Sequence, residues 1–521
     1  MFTLKAKYGV SMNQVSQKLA DSLEKLKAMQ DNGDIALQSR MLPRVDRERL
    51  LKHGFLKEVI RGWYVPSNPS EKPGDSTSWY ASFWDFCGAY LNERLGDSWC
   101  LSPEQSIALH VGDRTVPRQL LVRSPKGRNQ PTQLIHQTSV LDLRLALPDA
   151  AYLQRIDSVR VYTLAAALVY SAPDSFVRYS VAMRTVLSMI ADASEVLMIL
   201  LAGGHSTIAG RIVGAFRNIG RDLIADNILR GMDAADYKVK ELDPFKEQSP
   251  IQFGRREVSP YVNRMRLMWY SMRQAVIDNF DVQATQNIDV AKYLAALDDK
   301  FTSDAYHSLS IEGYRVNHEL IDMVRHGKWD PEHSDESKKH LDAMAAKGYW
   351  DAFVEVKKAI ESVLNGENAG DVLEHVHSSW YYALFSPSVA AGIIKQSDLA
   401  GYRTGPVYIR QSMHTPPCKE AIRDMMPALF DLLMEEQHGA VRVVLGHFLF
   451  VYIHPYFDGN GRMGRFIMNL MMASMGLNWT VIPVERRDEY MQALEAASVG
   501  HDIVPFTRFI ASCYEQDLSC P

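Results

Sequence analysis

Twelve consecutive residues, His454-Pro455-Tyr456-Phe457-Asp458-Gly459-Asn460-Gly461-Arg462-Met463-Gly464-Arg465, gather a base, a hard oxygen ligand, an anion cradle and two guanidinium groups. Attack by a hydroxyl on phosphorus needs a base, and His454 belongs to the residue type that titrates near neutrality. Asp458 supplies the carboxylate oxygen that Mg²⁺ or Mn²⁺ takes beside a phosphate. Gly459 and Gly461 admit backbone geometry that a side chain forbids, so N–H groups can converge on an anion, with the Asn460 amide beside them. Arg462 and Arg465, three apart, share one helix face and can reach one polyphosphate. The twelve residues read as a nucleotide-handling active site.

Two helices must position them. Ala440 to Ile453 is apolar almost all round, the pattern of a buried helix, and Arg462 to Met475 reads as a second, rich in Phe, Ile, Met and Leu. The polar residues therefore occupy a tight loop between core helices. Upstream, Ser308-Leu309-Ser310-Ile311-Glu312-Gly313 has the form of a helix end, where a Glu-Gly pair ordinarily carries a solvated carboxylate. Between the two, turn formers bracket a short β-prone run in Gly401-Tyr402-Arg403-Thr404-Gly405-Pro406-Val407-Tyr408-Ile409-Arg410.

The twelve residues resemble the signature of the Fic family, His-Pro-Phe-x-(Asp/Glu)-Gly-Asn-Gly-Arg-x-x-Arg, departing only where Tyr456 replaces Phe. Tyr456 then needs a hydrogen-bond partner for its hydroxyl. The resemblance implies an all-α domain that transfers AMP from ATP to a hydroxyl side chain (Tyr, Ser or Thr) of a protein target, or of the chain itself. It implies His454 as base, Asp458 as ligand of the divalent ion, Gly459, Asn460 and Gly461 on the α- and β-phosphates, Arg462 near the β-phosphate and Arg465 on the γ-phosphate. Pyrophosphate leaves. Ser308-x-x-x-Glu312-Gly313 is similar to the family's inhibitory helix, expected near 302–315, whose glutamate pairs with the second arginine, here Arg465. The 401–410 run resembles the family's flap, a β-hairpin whose edge, Val407, Tyr408 and Ile409, would pair with the target's backbone; an ordinary surface hairpin has the same sequence signs. His414 and Pro416-Pro417 extend the likeness, and Asn469 either approaches the adenine or packs between helices.

At 521 residues the chain is too long for one core and suggests two to four domains. Its five cysteines (Cys87, Cys100, Cys418, Cys513, Cys520) are scattered without Cys-x-x-Cys or zinc spacing, which fits a reducing cytosol and argues against a structural metal. No signal-peptide profile opens the chain, and its most apolar long run, Val186 to Ala202, is broken by Asp192 and Glu195. The expectation is a cytoplasmic protein without a membrane partner.

The formal net charge of −5 hides an asymmetry. Residues 1–70 hold twelve Lys and Arg against seven Asp and Glu, a net of +5, leaving −10 for the remainder. Helices are expected at Asn13 to Met29, Ala36 to Met41 and Asp46 to His53, followed by a two-stranded wing over Gly54 to Val65. That order is a winged-helix pattern, with Arg40, Arg44, Arg47, Arg49, Lys52, Lys57 and Arg61 as candidate contacts to duplex DNA. Any charged solvated face looks alike, and winged helices also bind proteins. Past a Pro/Ser/Gly-rich joint at Pro66 to Ser78, residues 75–245 read as a mixed α/β regulatory module. With Leu101-Ser102-Pro103-Glu104, Val122-Arg123-Ser124-Pro125 and Leu201-Ala202-Gly203-Gly204-His205, residues 1–245 look similar to antitoxin-type regulators of the abortive-infection family, which implies a DNA-binding, self-repressing regulator. His205, Ser206 and Asp222 invite a catalytic reading, but no triad logic organises them; loop and cap roles suit them better. A second linker spans Asp243 to Pro260.

The expected architecture is multidomain: an N-terminal winged helix (1–70), an α/β middle module (75–245) and an all-α C-terminal Fic domain (255–515) with a β-hairpin flap. The expected function is protein adenylylation, autoinhibited by Glu312. Two alternatives stand beside it: removal of AMP or transfer of another nucleotide by the same site, and a transcriptional regulator with a nucleotide-sensing Fic domain. Intact His454 and Asp458 favour catalysis, because binding alone does not require the base.

Overall fold

The computed structural model describes residues 11–71, 74–253, 259–285, 288–328 and 337–519. They fall into two compact units. The first holds the described residues up to Gln248 together with Tyr408–Thr415; the second holds Ser249–Phe253, those from 259 to Val407, and those from Pro416 onward.

The first unit opens with α1 (Ser11–Asp31), β1 (Leu37–Gln38), α2 (Arg44–Lys52), β2 (Leu56–Ile60) and β3 (Trp63–Pro66). The strands form an antiparallel sheet in the order β1-β3-β2. Residues 36–41, expected as a helix, instead supply β1: Leu37 pairs with Tyr64 and is fully buried with Leu26, Leu50 and Leu56. Sheet pairing and core burial override the local helical preference there. A buried carboxylate ties the helices, Asp46 accepting from Ser22 Oγ at 2.8 Å and from Lys25 Nζ at 2.6 Å. The joint at Pro66 to Ser78 is bridged by a shared core, because Val59 and Val65 of the hairpin pack with Trp79, Phe83 and Phe86 of α3 (Thr77–Leu95).

Next come β4 (Cys100–Leu101), α4 (Pro103–His110), β5 (Gln119–Ser124), β6 (Pro131–Gln133) and β7 (Ser139–Arg144) in a mixed sheet of order β4-β5-β7-β6, then the β8 (Leu153–Ile156) and β9 (Val159–Tyr162) hairpin. Mixed α/β structure ends at β9. Six helices follow: α5 (Leu164–Tyr170), α6 (Ser175–Arg178), α7 (Ser180–Met189), α8 (Ser194–Gly203), α9 (Ser206–Asn218) and α10 (Asp222–Asp233). Leu101-Ser102-Pro103-Glu104 marks the start of α4, where Ser102 Oγ accepts the Gln105 N–H at 3.2 Å. His205, Ser206 and Asp222 likewise lie at helix starts, Asp222 paired with Arg217, and no catalytic grouping joins them.

Every element in the described part of the second unit is helical: α11 (Pro260–Asn279), α12 (Val290–Ile311), α13 (His318–Arg325), α14 (Ser337–Leu364), α15 (Ala369–Ala390), α16 (Lys419–Glu435), α17 (Gly439–Ile453), α18 (Asn460–Ala473), α19 (Arg487–Ser498) and α20 (Val504–Ser519), with short 3₁₀ turns. At the centre, α17 and α18 are buried almost throughout, and α14, α15 and α12 pack against α18. The two apolar runs of the sequence are thus the core helices, and the loop joining them carries the candidate site residues.

The expected flap hairpin is absent, since no strand is assigned over residues 401–418. Pro406 has no N–H to give a ladder. The Arg403 side chain instead satisfies the surrounding backbone, donating to His454 O at 2.8 Å, to Gly405 O at 2.9 Å and to Pro417 O. The trio Val407, Tyr408 and Ile409 is divided: Val407 belongs to the second unit, while Tyr408 and Ile409 open the segment that packs in the first, where Val116 N–H donates to Met413 O at 3.0 Å and Arg410 pairs with Asp75 at 2.8 Å. Among the described residues, no single helix is long and apolar enough to cross a membrane.

Candidate active site

The loop between α17 and α18 begins where His454 caps α17 in the left-handed region at φ +52 and ends where Gly459, at φ +81, starts α18. A non-glycine residue at positive φ is uncommon and holds only where its surroundings enforce it. Here the Arg403 guanidinium grips the His454 carbonyl, and its backbone N–H donates to Pro455 O at 2.8 Å. His454 Nδ1 lies 3.2 Å from Val451 O. A carbonyl only accepts, so the proton sits on Nδ1 and the lone pair on Nε2. Burial lowers the imidazole to about 4, which keeps it neutral and able to accept a proton at neutral pH.

Asp458 is largely exposed, and its Oδ1 accepts the Gly459 N–H at 2.6 Å, fixing the carboxylate at the head of α18. No group of three His, Cys, Asp or Glu gathers as a metal cage among the described residues. One exposed carboxylate completed by water and phosphate oxygens is the ordinary donor set for Mg²⁺, and Asp458 fits it.

Both arginines would line an anion cradle. Arg462 and Arg465 are 1% and 2% exposed; Arg462 Nε and Arg465 Nη1 have no hydrogen-bond partner among the described residues, and Arg462 Nη2 has only the Asp458 carboxylate, 3.5 Å away. Buried guanidinium N–H groups left unmade are costly, and a polyphosphate is the ligand that would satisfy them at a helix N-terminus. Arg462 Cζ stands over the rings of Tyr314 and Phe385, 5.3 Å and 5.0 Å from their centroids. Arg465 is held from α12: Nε donates to Ser308 Oγ at 2.8 Å, and Nη2 to Ser308 O at 3.0 Å and to Glu312 Oε1 at 2.7 Å.

The Glu312 carboxylate lies in the cradle itself. A Cβ placed on Gly461 would meet Glu312 Oε1 at 2.3 Å and Arg465 Nη1 at 3.3 Å. Burial pushes the Glu312 carboxyl up, but the guanidiniums of Arg465 and Arg462 outweigh it and hold it below its ordinary range, so Glu312 stays ionised. Glu312 sits where an anion would, against Gly461 in the first turn of α18, whose lack of a side chain leaves space for it. The α12 end that carries it is anchored by Arg487 Nε, which donates to Ile311 O at 2.9 Å.

Asn460 and Tyr456 take roles that differ from expectation, and Asn469 takes the second of its two expected roles. Asn460 does not face the cradle: its amide accepts from Tyr456 N at 3.0 Å and donates to Tyr456 O at 2.8 Å, bracing the loop. Asn469 is fully buried, donating to Thr480 O and accepting from Thr480 N at 2.7 Å, a packing role. The Tyr456 hydroxyl has no hydrogen-bond partner among the described residues, and its ring stacks on Tyr381 at 3.7 Å. Stacking replaces the expected partner. Sequence reading also missed Arg403, Tyr314 and Phe385; an Arg flanked by the Gly and Pro residues of a loop was the one available sign, for Arg403.

The cations of residues 40–61 are mostly engaged within the first unit. Arg40 pairs with Glu93 at 2.9 Å, Arg44 with Glu48 at 2.7 Å and Lys57 with Glu71 at 3.4 Å. Arg47 donates to Ser39 O at 2.7 Å and stands over Tyr64, and Arg49 reaches Asp46 and Ser22. Lys52 and Arg61 are exposed.

Residues 373–472 match the Fic/DOC family. Over 121 residues, 22% of this chain, the sequence is 36% identical to the protein adenylyltransferase Fic of Nematostella vectensis, covering 28% of that protein. It is 36% identical over the same length to the protein of that name from Drosophila willistoni, covering 24% of it. The chain thus spans about a quarter of the length of the curated relatives it matches. A solved Fic-domain signalling protein from Bacteroides thetaiotaomicron is similar at 17% identity and a TM-score of 0.35, over 50% of this chain and 94% of that one, too slight a likeness to argue from. The helical core, the loop His454–Arg465 and the family match together identify residues 373–472 as a Fic domain.

Proposed function

We propose that the chain is a protein adenylyltransferase that uses ATP and a divalent ion and is held in check by Glu312. The observation that carries this reading is the ion pair of Glu312 with Arg465 at 2.7 Å, seated on the head of α18 beside a neutral His454. The curated relatives are named protein adenylyltransferases, which supports the same reading.

In the proposed reaction, a target hydroxyl attacks the α-phosphorus of ATP. The new bond joins the acceptor oxygen to that phosphorus, the bond to the β-phosphate bridging oxygen breaks, and pyrophosphate departs. His454 Nε2 takes the hydroxyl proton. Asp458 would hold the divalent ion, which supplies charge neutralisation to the phosphate oxygens. N–H groups of the first turn of α18, which have no carbonyl one turn earlier to bond, hold the phosphates with Arg462 and Arg465. A carboxylate on Arg465 competes with the γ-phosphate for the same donors, so ATP binds with its α-phosphate out of line for attack.

Labelled ATP incubated with the purified chain and a cell lysate tests this. Transfer should rise when Glu312 is replaced by Gly. If that change lowers transfer and instead abolishes removal of AMP from a modified target, the site is a deadenylylase. For residues 1–70 the DNA-reading role is the weaker proposal, because Arg47 and Arg49 are engaged in holding the fold. Binding of labelled duplex that weakens as salt rises would support it.

A further inference from the structure

We propose that Phe457 selects the acceptor: its half-exposed ring is the platform on which a tyrosine side chain of the target lies while its phenol meets His454. The proposal rests on the adenylyl-transfer reading and narrows its acceptor.

Phe457 is 51% exposed, a large apolar side chain presented to solvent inside a loop whose other working groups are polar. Its neighbours Pro455 and Tyr456 are buried. The ring is nonetheless placed. Its edge stands 3.5 Å and 3.6 Å from where a Cβ on Gly405 would lie, so the absence of a side chain at 405 leaves that flank open. Gly405 and His454 are tied to each other through one guanidinium, since Arg403 donates to the carbonyls of both. Ring, open flank and base thus form one braced unit.

In-line attack assigns the ring to the acceptor side. The leaving pyrophosphate lies with Arg462 and Arg465 on α18, and the attacking hydroxyl must come from the opposite side, next to the base. The Phe457 ring lies against Gly405, which Arg403 ties to the His454 carbonyl, so it belongs with the base. An aromatic platform there favours an aromatic guest, through ring stacking that a serine or threonine cannot make. The chemistry points the same way. Burial lowers His454 to about 4, and so weak a base takes a proton more readily from a phenol, ordinarily near ~10, than from an alkyl hydroxyl.

The test uses the full chain carrying Glu312→Gly, labelled ATP and three peptide pools of degenerate sequence with a single central Tyr, Ser or Thr. The tyrosine pool should take label about tenfold faster than either other pool. Adding Phe457→Leu, which keeps apolar bulk but removes the ring, should cut the tyrosine rate roughly fivefold with the KM for ATP unchanged, and Phe457→Trp should retain the preference. Equal labelling of the three pools would overturn the proposal. So would Phe457→Leu raising the KM for ATP without changing acceptor preference, which would place the ring on the nucleotide. Label in none of the pools, with ATP still bound, would contradict adenylyl transfer itself and this inference with it.

Discussion

At the scale of single residues, the proposed base role of His454 rests on its placement as much as on its type. Its Nδ1 is committed to Val451 O, leaving Nε2 to receive a proton. His454→Ala should lower AMP transfer by about 10²- to 10⁴-fold while ATP affinity, measured by equilibrium binding, stays near wild type. A second expectation concerns pH. Burial lowers His454 to about 4 and His447, hydrogen-bonded to Tyr490, to about 3. Both lie below the ~6.5 of an unfolded histidine, so between those values the unfolded chain binds protons that the folded chain does not. Stability is therefore full above about pH 6.5 and falls on acidification through that window. Thermal melts from pH 7 to pH 5 should show the loss, and His447→Gln should flatten it. The residue types of the twelve-residue run were legible because the chemistry demands them in order. The turned-away amide of Asn460 was not, because which way a side chain faces depends on the loop geometry that it helps to make.

At the scale of elements, the central relation is between α12 and α18, far apart in sequence and joined through Ser308, Glu312 and Arg465. Gly461 lets that contact exist. Gly461→Ala would drive a methyl group into Glu312 Oε1 and crowd the cradle at once, so transfer should fall even with Glu312→Gly in place. A gain of activity from Gly461→Ala alone would show that the glutamate, not the phosphate, needs that space. The helices α17 and α18 were readable because an apolar run of helical length has few alternatives. The flap was misread because Pro406 and the satisfying reach of Arg403 favour an irregular course, and nothing local announces a long-range donor. The 36–41 segment was misread for a related reason: Leu37 is decided by a strand and a core that lie elsewhere in the chain.

At the scale of the whole molecule, the first unit is one core from the β2–β3 hairpin through α3. Trp79 is fully buried against Phe83 and Phe86, and its Nε1 donates to Thr138 Oγ1 at 3.0 Å. Trp79→Ala should cost about 3–5 kcal/mol and loosen the hairpin together with α3, seen as a shared loss of amide-exchange protection. Composition marks Pro66 to Ser78 as a joint; it cannot show that Val59 and Val65 reach across to the same core. In the second unit, the proposed restraint of the site by Glu312 is the most direct thing to test. Transfer of labelled AMP should be compared for the wild-type chain, Glu312→Gly, and Glu312→Gly combined with Arg465→Ala. A marked rise on removing the carboxylate, cancelled when the γ-phosphate loses its arginine, is the predicted result; a Glu312→Gly chain no more active than wild type, or one whose gain survives the loss of Arg465, would contradict it.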